Sequence, residues 1–215
     1  MNINLMENQE NSSTTSDLSN KTTNCKVPIN IGVYLGSSIG DKAILQESVV
    51  QFGKGLARLG YTLVYGGASI GLMGILASTV KENGGKVIAI ITKHLESKEI
   101  LFKQADEIYI VSSMHERKNL IREKSSQFIV FPGGLGTFDE LFETWCLIKV
   151  GSIKKNMGLM NICGFFNPLF ELVTHAKKNG FLTEVESTIP SIYSDVAECL
   201  LDMAYGKTKE LYGLC

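Results

Sequence analysis

Six short apolar runs in this chain alternate with segments of helical periodicity, and this alternation narrows the fold more than any other feature. The runs are INIGVYLG (29–36), YTLVYGG (61–67), KVIAIIT (86–92), EIYIVSS (107–113), QFIVFPGG (127–134) and MGLMNICG (157–164). They are continuously apolar rather than alternating polar and apolar, which marks strands buried on both faces. Between them, helices are predicted over 42–60, 71–85, 114–125, 137–151, 167–180 and 194–204. In the first, Ile44, Leu45, Val49, Phe52, Leu56 and Leu59 recur at helical spacing, and Gly60 stands where a C-cap belongs. Pro168 suits the first turn of its helix. The expected fold is therefore α/β: a Rossmann-like, doubly wound parallel sheet with helices on both faces, as a single domain.

The ends of the chain read differently. Residues 1–27 are polar and rich in Ser, Thr and Asn, with no apolar leader core, and read as a disordered tail. The domain is expected over 28–206, with a short tail at 207–215. No apolar stretch reaches the ~18 residues a spanning helix needs. Lys and Arg number 21 and Asp and Glu 22, a balance that argues against a nucleic-acid binder. Cys25, Cys146, Cys163, Cys199 and Cys215 form no CxxC pair, so free thiols in a reducing cytoplasm are expected. His94, His115 and His175 fall in separate segments without zinc spacing, and no metal site is expected.

Three runs end in glycine turns that open helices: Gly36-Ser37-Ser38, Gly66-Gly67 and Pro132-Gly133-Gly134. In a parallel sheet such turns gather at the carboxyl ends of the strands, where ligands bind. PGGLGT (132–137) combines glycines that admit close approach, a helix N-terminus that offers N–H groups, and Thr137 as a natural N-cap. Together these make a phosphate cradle of Gly133, Gly134, Leu135, Gly136 and Thr137, with Ser37 on the neighbouring turn. No GxxxxGK[ST] is present, so a P-loop is not supported. GGASIG (66–71) has the wrong spacing for a dinucleotide fingerprint, and KVIAIIT ends without an acidic residue. That glycine run reads as a pocket wall that packs a helix tightly on the sheet. Ser113 and Glu116 form a capping box that starts a helix and sets Met114, Arg117 and Lys118 in its first turns. Among Asp139, Glu140 and Glu143, helix-dipole electrostatics accounts for Asp139. Glu140, one turn beyond the cradle, lies where the reacting part of a nucleotide would sit.

Gly66-Gly67-(x3)-Gly71-Leu72-Met73-Gly74, Met114-His115-Glu116-Arg117-Lys118 and Pro132-Gly133-Gly134-Leu135-Gly136-Thr137-(x2)-Glu140, in this order, resemble the Lonely Guy family. These are phosphoribohydrolases often mislabelled lysine decarboxylases, and the resemblance covers about residues 29–205. It implies a Rossmann-like fold, dimers that complete each other's active sites, and no metal or cofactor. It implies cleavage of the N-glycosidic bond of adenosine-type nucleoside 5′-monophosphates, AMP or N6-modified cytokinin forms, to free base and ribose 5-phosphate. By motif, Arg117 and Glu140 match the catalytic pair, Gly134 to Thr137 the phosphate turn, Met114 and Lys118 pocket residues, and Glu99 a substrate-contacting acid. Two departures stand out: Gly66-Gly67-Ala68 where many relatives have three glycines, and Cys146-Leu147 where relatives often carry Thr-Trp. A non-hydrolytic nucleotide carrier on the same scaffold is the alternative reading.

Overall fold

Five of the six apolar runs feed two cores at once, because successive strand residues point to opposite faces, while the fourth gives Tyr109 and Val111 to one core and leaves Ile108 and Ile110 exposed. In the first run, Ile31, Val33 and Leu35 enter one core cluster and Tyr34 the other. The fifth divides the same way, with Ile129 and Phe131 on one side and Phe128 and Val130 on the other. A continuous apolar run is thus what a sheet covered on both faces requires.

The computed structural model describes residues 29–96, 100–188 and 190–205. The proposed tails at 1–27 and 207–215 lie outside the described residues. The elements run β1 (Asn30–Tyr34), α1 (Ala43–Leu59), β2 (Thr62–Tyr65), α2 (Gly71–Glu82), β3 (Lys86–Thr92), α3 (Lys93–Glu96) and β4 (Glu107–Val111). They continue with α4 (Met114–Lys124), β5 (Gln127–Val130), α5 (Leu135–Lys149), β6 (Met157–Met160), a 3₁₀ turn (Ile162–Gly164), α6 (Asn167–Lys178), β7 (Ser191–Tyr193) and α7 (Val196–Tyr205). The seven strands form one sheet of order β4-β3-β2-β1-β5-β6-β7, and every pairing is parallel. The α/β doubly wound fold expected from the sequence is the fold observed.

One face is covered by α1, α2 and α7, through Val49, Phe52, Leu56, Leu76, Val80, Val196 and Leu200. The other is covered by α4, α5 and α6, through Ile121, Leu141, Trp145 and Val173. Gly60 caps α1 at φ 70°, as its place after a periodic stretch predicts.

Three expectations need correction. The helix after PGG begins at Leu135, not Thr137, with Gly134 as an extended N-cap. Sequence reasoning favoured the first hydroxyl residue as cap, but glycine is nearly as good there, so the helix could start earlier. The sixth strand stops at Met160 and turns into the 3₁₀ segment, where Cys163 takes φ 53°. The short elements β7 and α3 were not predicted, because three or four residues carry too little periodicity to read.

Candidate active site

The strand order reverses between β1 and β5, so the chain's topological switch point lies between them. The three strands that end in glycine turns, β2, β1 and β5, are neighbours there. Their turns are knitted together: Gly36 N–H donates to the Pro132 carbonyl (3.2 Å), Met73 N–H to the Gly36 carbonyl (3.3 Å) and Leu72 N–H to the Ser38 carbonyl (3.3 Å). The first amides of α2 are therefore spent on the β1–α1 loop. Gly71 makes this possible: its φ is +60°, and a Cβ there would stand 2.2 Å from the Ser37 carbonyl carbon and oxygen.

The N-terminus of α5 is different. Among the described residues, the amides of Leu135, Gly136 and Thr137 have no backbone acceptor, and the ladder begins with Phe138 N–H to the Gly134 carbonyl (3.0 Å). Of the two helix starts at the switch point, this one keeps donors and dipole for an anion. Thr137 is buried inside the first turn, its hydroxyl packed against Gly133, so it does not cap the helix. Leu135 stands 87% exposed at the rim, and Ser37 is exposed on the adjoining loop.

Arg117, from α4, meets Glu140, which lies in the second turn of α5. The N-cap expected at Ser113 starts α4, with Glu116 N–H donating to Ser113 Oγ (3.1 Å), while the Glu116 carboxylate reaches one residue past the cap and accepts from the Ser112 amide (2.8 Å). One residue further on, Arg117 turns inward and is only 7% exposed. Its Nε donates to the Ile90 carbonyl (3.0 Å), Nη2 to the Gly66 carbonyl (3.0 Å) and Nη1 to Glu140 Oε1 (3.1 Å). Gly66 is a necessary seat, since a Cβ there would lie 1.9 Å from Nη2. Burial pushes the Glu140 carboxyl up to about 7; Arg117 opposes this, Asp139 adds to it, and Lys118 opposes it. A buried carboxylate that exchanges its proton near neutrality, beside an anion seat, suits water activation and cation stabilisation.

Other predicted site residues fall around this pair. Met114 is half exposed at the start of α4. Lys118 is expected as a substrate contact, yet its ammonium is held by Asp139 (2.9 and 3.0 Å) and Glu143 (2.7 Å). Glu99 lies outside the described residues. His115 is exposed and 2.9 Å from Asn119 Nδ2, a local contact within α4. Cys146, on α5, is exposed. Sequence reasoning missed Arg122, buried behind Lys118 and 3.0 Å from Glu143. Its spacing of four from Lys118, on one helix face, was the available signal. Among the described residues, no three His, Cys, Asp or Glu side chains are placed to hold a metal ion.

A sequence profile for the family described as "Possible lysine decarboxylase" matches residues 73–203. The chain is 42% identical over 154 residues to the cytokinin riboside 5′-monophosphate phosphoribohydrolase LOG of Oryza sativa subsp. japonica, covering 72% of this chain and 64% of that protein. It is 39% identical over 153 residues to the cytokinin riboside 5′-monophosphate phosphoribohydrolase LOG3 of Arabidopsis thaliana, covering 71% of each. The match spans 64% and 62% of the length of the first two curated relatives. Among solved structures, the molybdenum cofactor carrier protein of Chlamydomonas reinhardtii aligns with a TM-score of 0.60 at 19% identity, over 85% of this chain and 100% of that one. The molybdenum cofactor binding protein of Rippkaea orientalis aligns with a TM-score of 0.57 at 19% identity, over 83% and 96%. At this identity the structural likeness is one of fold.

Proposed function

We propose, from the premise that this chain belongs to the Lonely Guy family, that it is a nucleoside 5′-monophosphate phosphoribohydrolase. Its substrates are adenosine-type monophosphates, AMP or N6-modified cytokinin forms, and its products are the free base and ribose 5-phosphate. The observation that carries this reading is the buried Arg117–Glu140 pair, its acid in the second turn of a helix with an open N-terminus.

The chemistry follows from that placement. The 5′-phosphate docks on the Leu135, Gly136 and Thr137 amides, which supply binding energy remote from the bond that breaks. As the C1′–N bond lengthens, the base leaves with the electron pair and takes up a proton from solvent, matched by the one Glu140 later returns to solvent, and the ribose gains oxocarbenium character. The Glu140 carboxylate stabilises that cation and accepts a proton from the water whose oxygen bonds to C1′, as carboxylates do in glycosidases. Arg117, held by the Ile90 and Gly66 carbonyls, acts as a fixed donor that aims Glu140.

Two other readings are weaker. A pure carrier has no need of a buried carboxylate at this position. A lysine decarboxylase using a Schiff base needs a neutral amine. Burial works to lower the Lys118 pKa, but its contacts with Glu143 and Asp139 outweigh it and hold the ammonium above its ordinary value. Homodimerisation belongs to the same proposal, supported by Leu135 and Met114 exposed beside the site and testable by light scattering. A cytoplasmic location fits the free thiols of Cys146, Cys163 and Cys199. Among the described residues, no helix is long and apolar enough to cross a membrane.

The test is a nucleosidase assay with AMP, isopentenyladenosine monophosphate, GMP and CMP, with base and ribose 5-phosphate quantified by chromatography. Release is expected from adenosine-type substrates, and the N6 preference follows from the ranking. Glu140→Gln is expected to lower kcat by about 10²–10⁴-fold with the fold retained. Tight nucleotide binding without release from any substrate would select the carrier reading instead.

A further inference from the structure

Behind the Arg117–Glu140 pair, the facing sides of α4 and α5 carry three cations against three anions. Arg117, Lys118 and Arg122 come from α4, and Asp139, Glu140 and Glu143 from α5. Arg117 binds Glu140; Lys118 binds Asp139 and Glu143; Arg122 stands against Glu143. Asn119 holds Arg122 from the other side through its side-chain oxygen. The charges cancel, so this layer offers no net attraction to a phosphate.

Glu143 occupies an unusual place in the layer. Its Oε2 lies 2.7 Å from Lys118 Nζ and 3.0 Å from Arg122 Nη1. The oxygen is thus shared between two cations rather than committed to one. The cations are little exposed, Lys118 at 15% and Arg122 at 8% of the side chain, which removes much of the screening that makes surface pairs weak. Adjacency in sequence gives the contact its leverage. Lys118 follows Arg117, and Asp139 precedes Glu140. A slide of α4 along α5 that stretched the Lys118 contacts would stretch Arg117–Glu140 by a similar amount.

We infer that Glu143 is a positioning residue for the reaction proposed above: backed by Arg122, it draws Lys118 onto α5 and fixes the offset between α4 and α5 at which Arg117 meets Glu140. The inference rests on the phosphoribohydrolase reading. It gives Lys118 a task inside the protein, because reaching for a phosphate would mean leaving two carboxylates.

The experiment compares Glu143→Gln, Glu143→Asp, Lys118→Met and the double variant Glu143→Gln with Lys118→Met against wild type, on whichever monophosphate wild type turns over. Lys81→Met, which breaks the separate Lys81–Asp106 pair, is the control and keeps wild-type kcat. Glu143→Gln is expected to lower kcat at least tenfold, with KM and inhibition by ribose 5-phosphate within twofold of wild type. Glu143→Asp, which keeps the charge on a shorter arm, is expected to recover part of that loss, and it carries the test if the Gln variant does not fold. In the Lys118→Met background, Glu143→Gln is expected to add less than twofold, because both act through one contact. Wild-type kcat in the Glu143 variants, with only a lower Tm, would overturn the inference and leave the phosphoribohydrolase reading standing. So would a raised KM at unchanged kcat, which would place Lys118 on the substrate. Absence of turnover by wild type would overturn both.

Discussion

Gly66→Ala isolates the seat of Arg117 from the rest of the site. The added Cβ would stand 1.9 Å from Nη2 and 3.0 Å from Cζ. Ordinary contact is ~3.5 Å, so the guanidinium must retreat by about 1.5 Å. Gly66 is not among the glycines at positive φ, so the backbone accepts alanine and the side chain of Arg117 gives way. A shift of that size breaks the bonds to the Gly66 and Ile90 carbonyls and to Glu140. Misplacing a catalytic contact by ~1 Å costs about 10²-fold, so kcat is expected to fall about 100-fold, equivalent to about 3 kcal/mol of transition-state stabilisation. A buried carboxylate that loses its cation costs up to about 3–5 kcal/mol in stability. Protonation relieves that cost: Glu140, already raised to about 7, rises further without Arg117. The Tm gap between variant and wild type should therefore widen from pH 6 to pH 8. The assay is steady-state base release together with thermal unfolding at the two pH values. In an Arg117→Ala background the Gly66 change should be silent. A Gly66→Ala enzyme within threefold of wild-type kcat would refute the claim that this glycine exists to admit the guanidinium.

The rising limb of log kcat against pH is expected near 7, where Glu140 ionises. Asp139→Asn should move that limb to lower pH and Lys118→Met to higher pH, since Asp139 raises the carboxyl and Lys118 lowers it. The folded-state value lies above the ordinary 4.5, so the folded protein holds this proton more tightly than the unfolded chain. Glu140 therefore makes stability fall as pH rises from about 4.5 to about 7, a trend that denaturant titrations of wild type and Glu140→Gln would separate. Gly71→Ala should destabilise by about 3 kcal/mol, from a positive φ and a Cβ driven into the Ser37 backbone. An unchanged urea midpoint would contradict that.

Much of this architecture was legible because it is locally written. The N-cap at Ser113, the cap at Gly60 and the apolar strands each depend on neighbours in sequence. The pairing of Arg117 with Glu140, 23 residues apart, was reachable only through the resemblance of the motifs. What stayed hidden depended on distant partners. Gly66 read as a pocket wall, whereas its task is set by a side chain 51 residues away. Lys118 read as a substrate contact because its acids lie on another helix. The helix start at Leu135 was missed because the glycines before Thr137 can also serve as N-cap, and Gly134 does.

The grip on Arg117 reaches across the molecule. One guanidinium reads the carbonyl ends of β2 and β3 and the acid on α5 while its own backbone belongs to α4. An enzyme built this way carries its own quality control. A chain with any of those four elements out of place cannot present an aimed carboxylate, so turnover certifies assembly. Selection on activity alone would then police much of the fold, and stabilising changes far from the cleft would surface in an activity screen as gains in yield of competent enzyme rather than in rate per site.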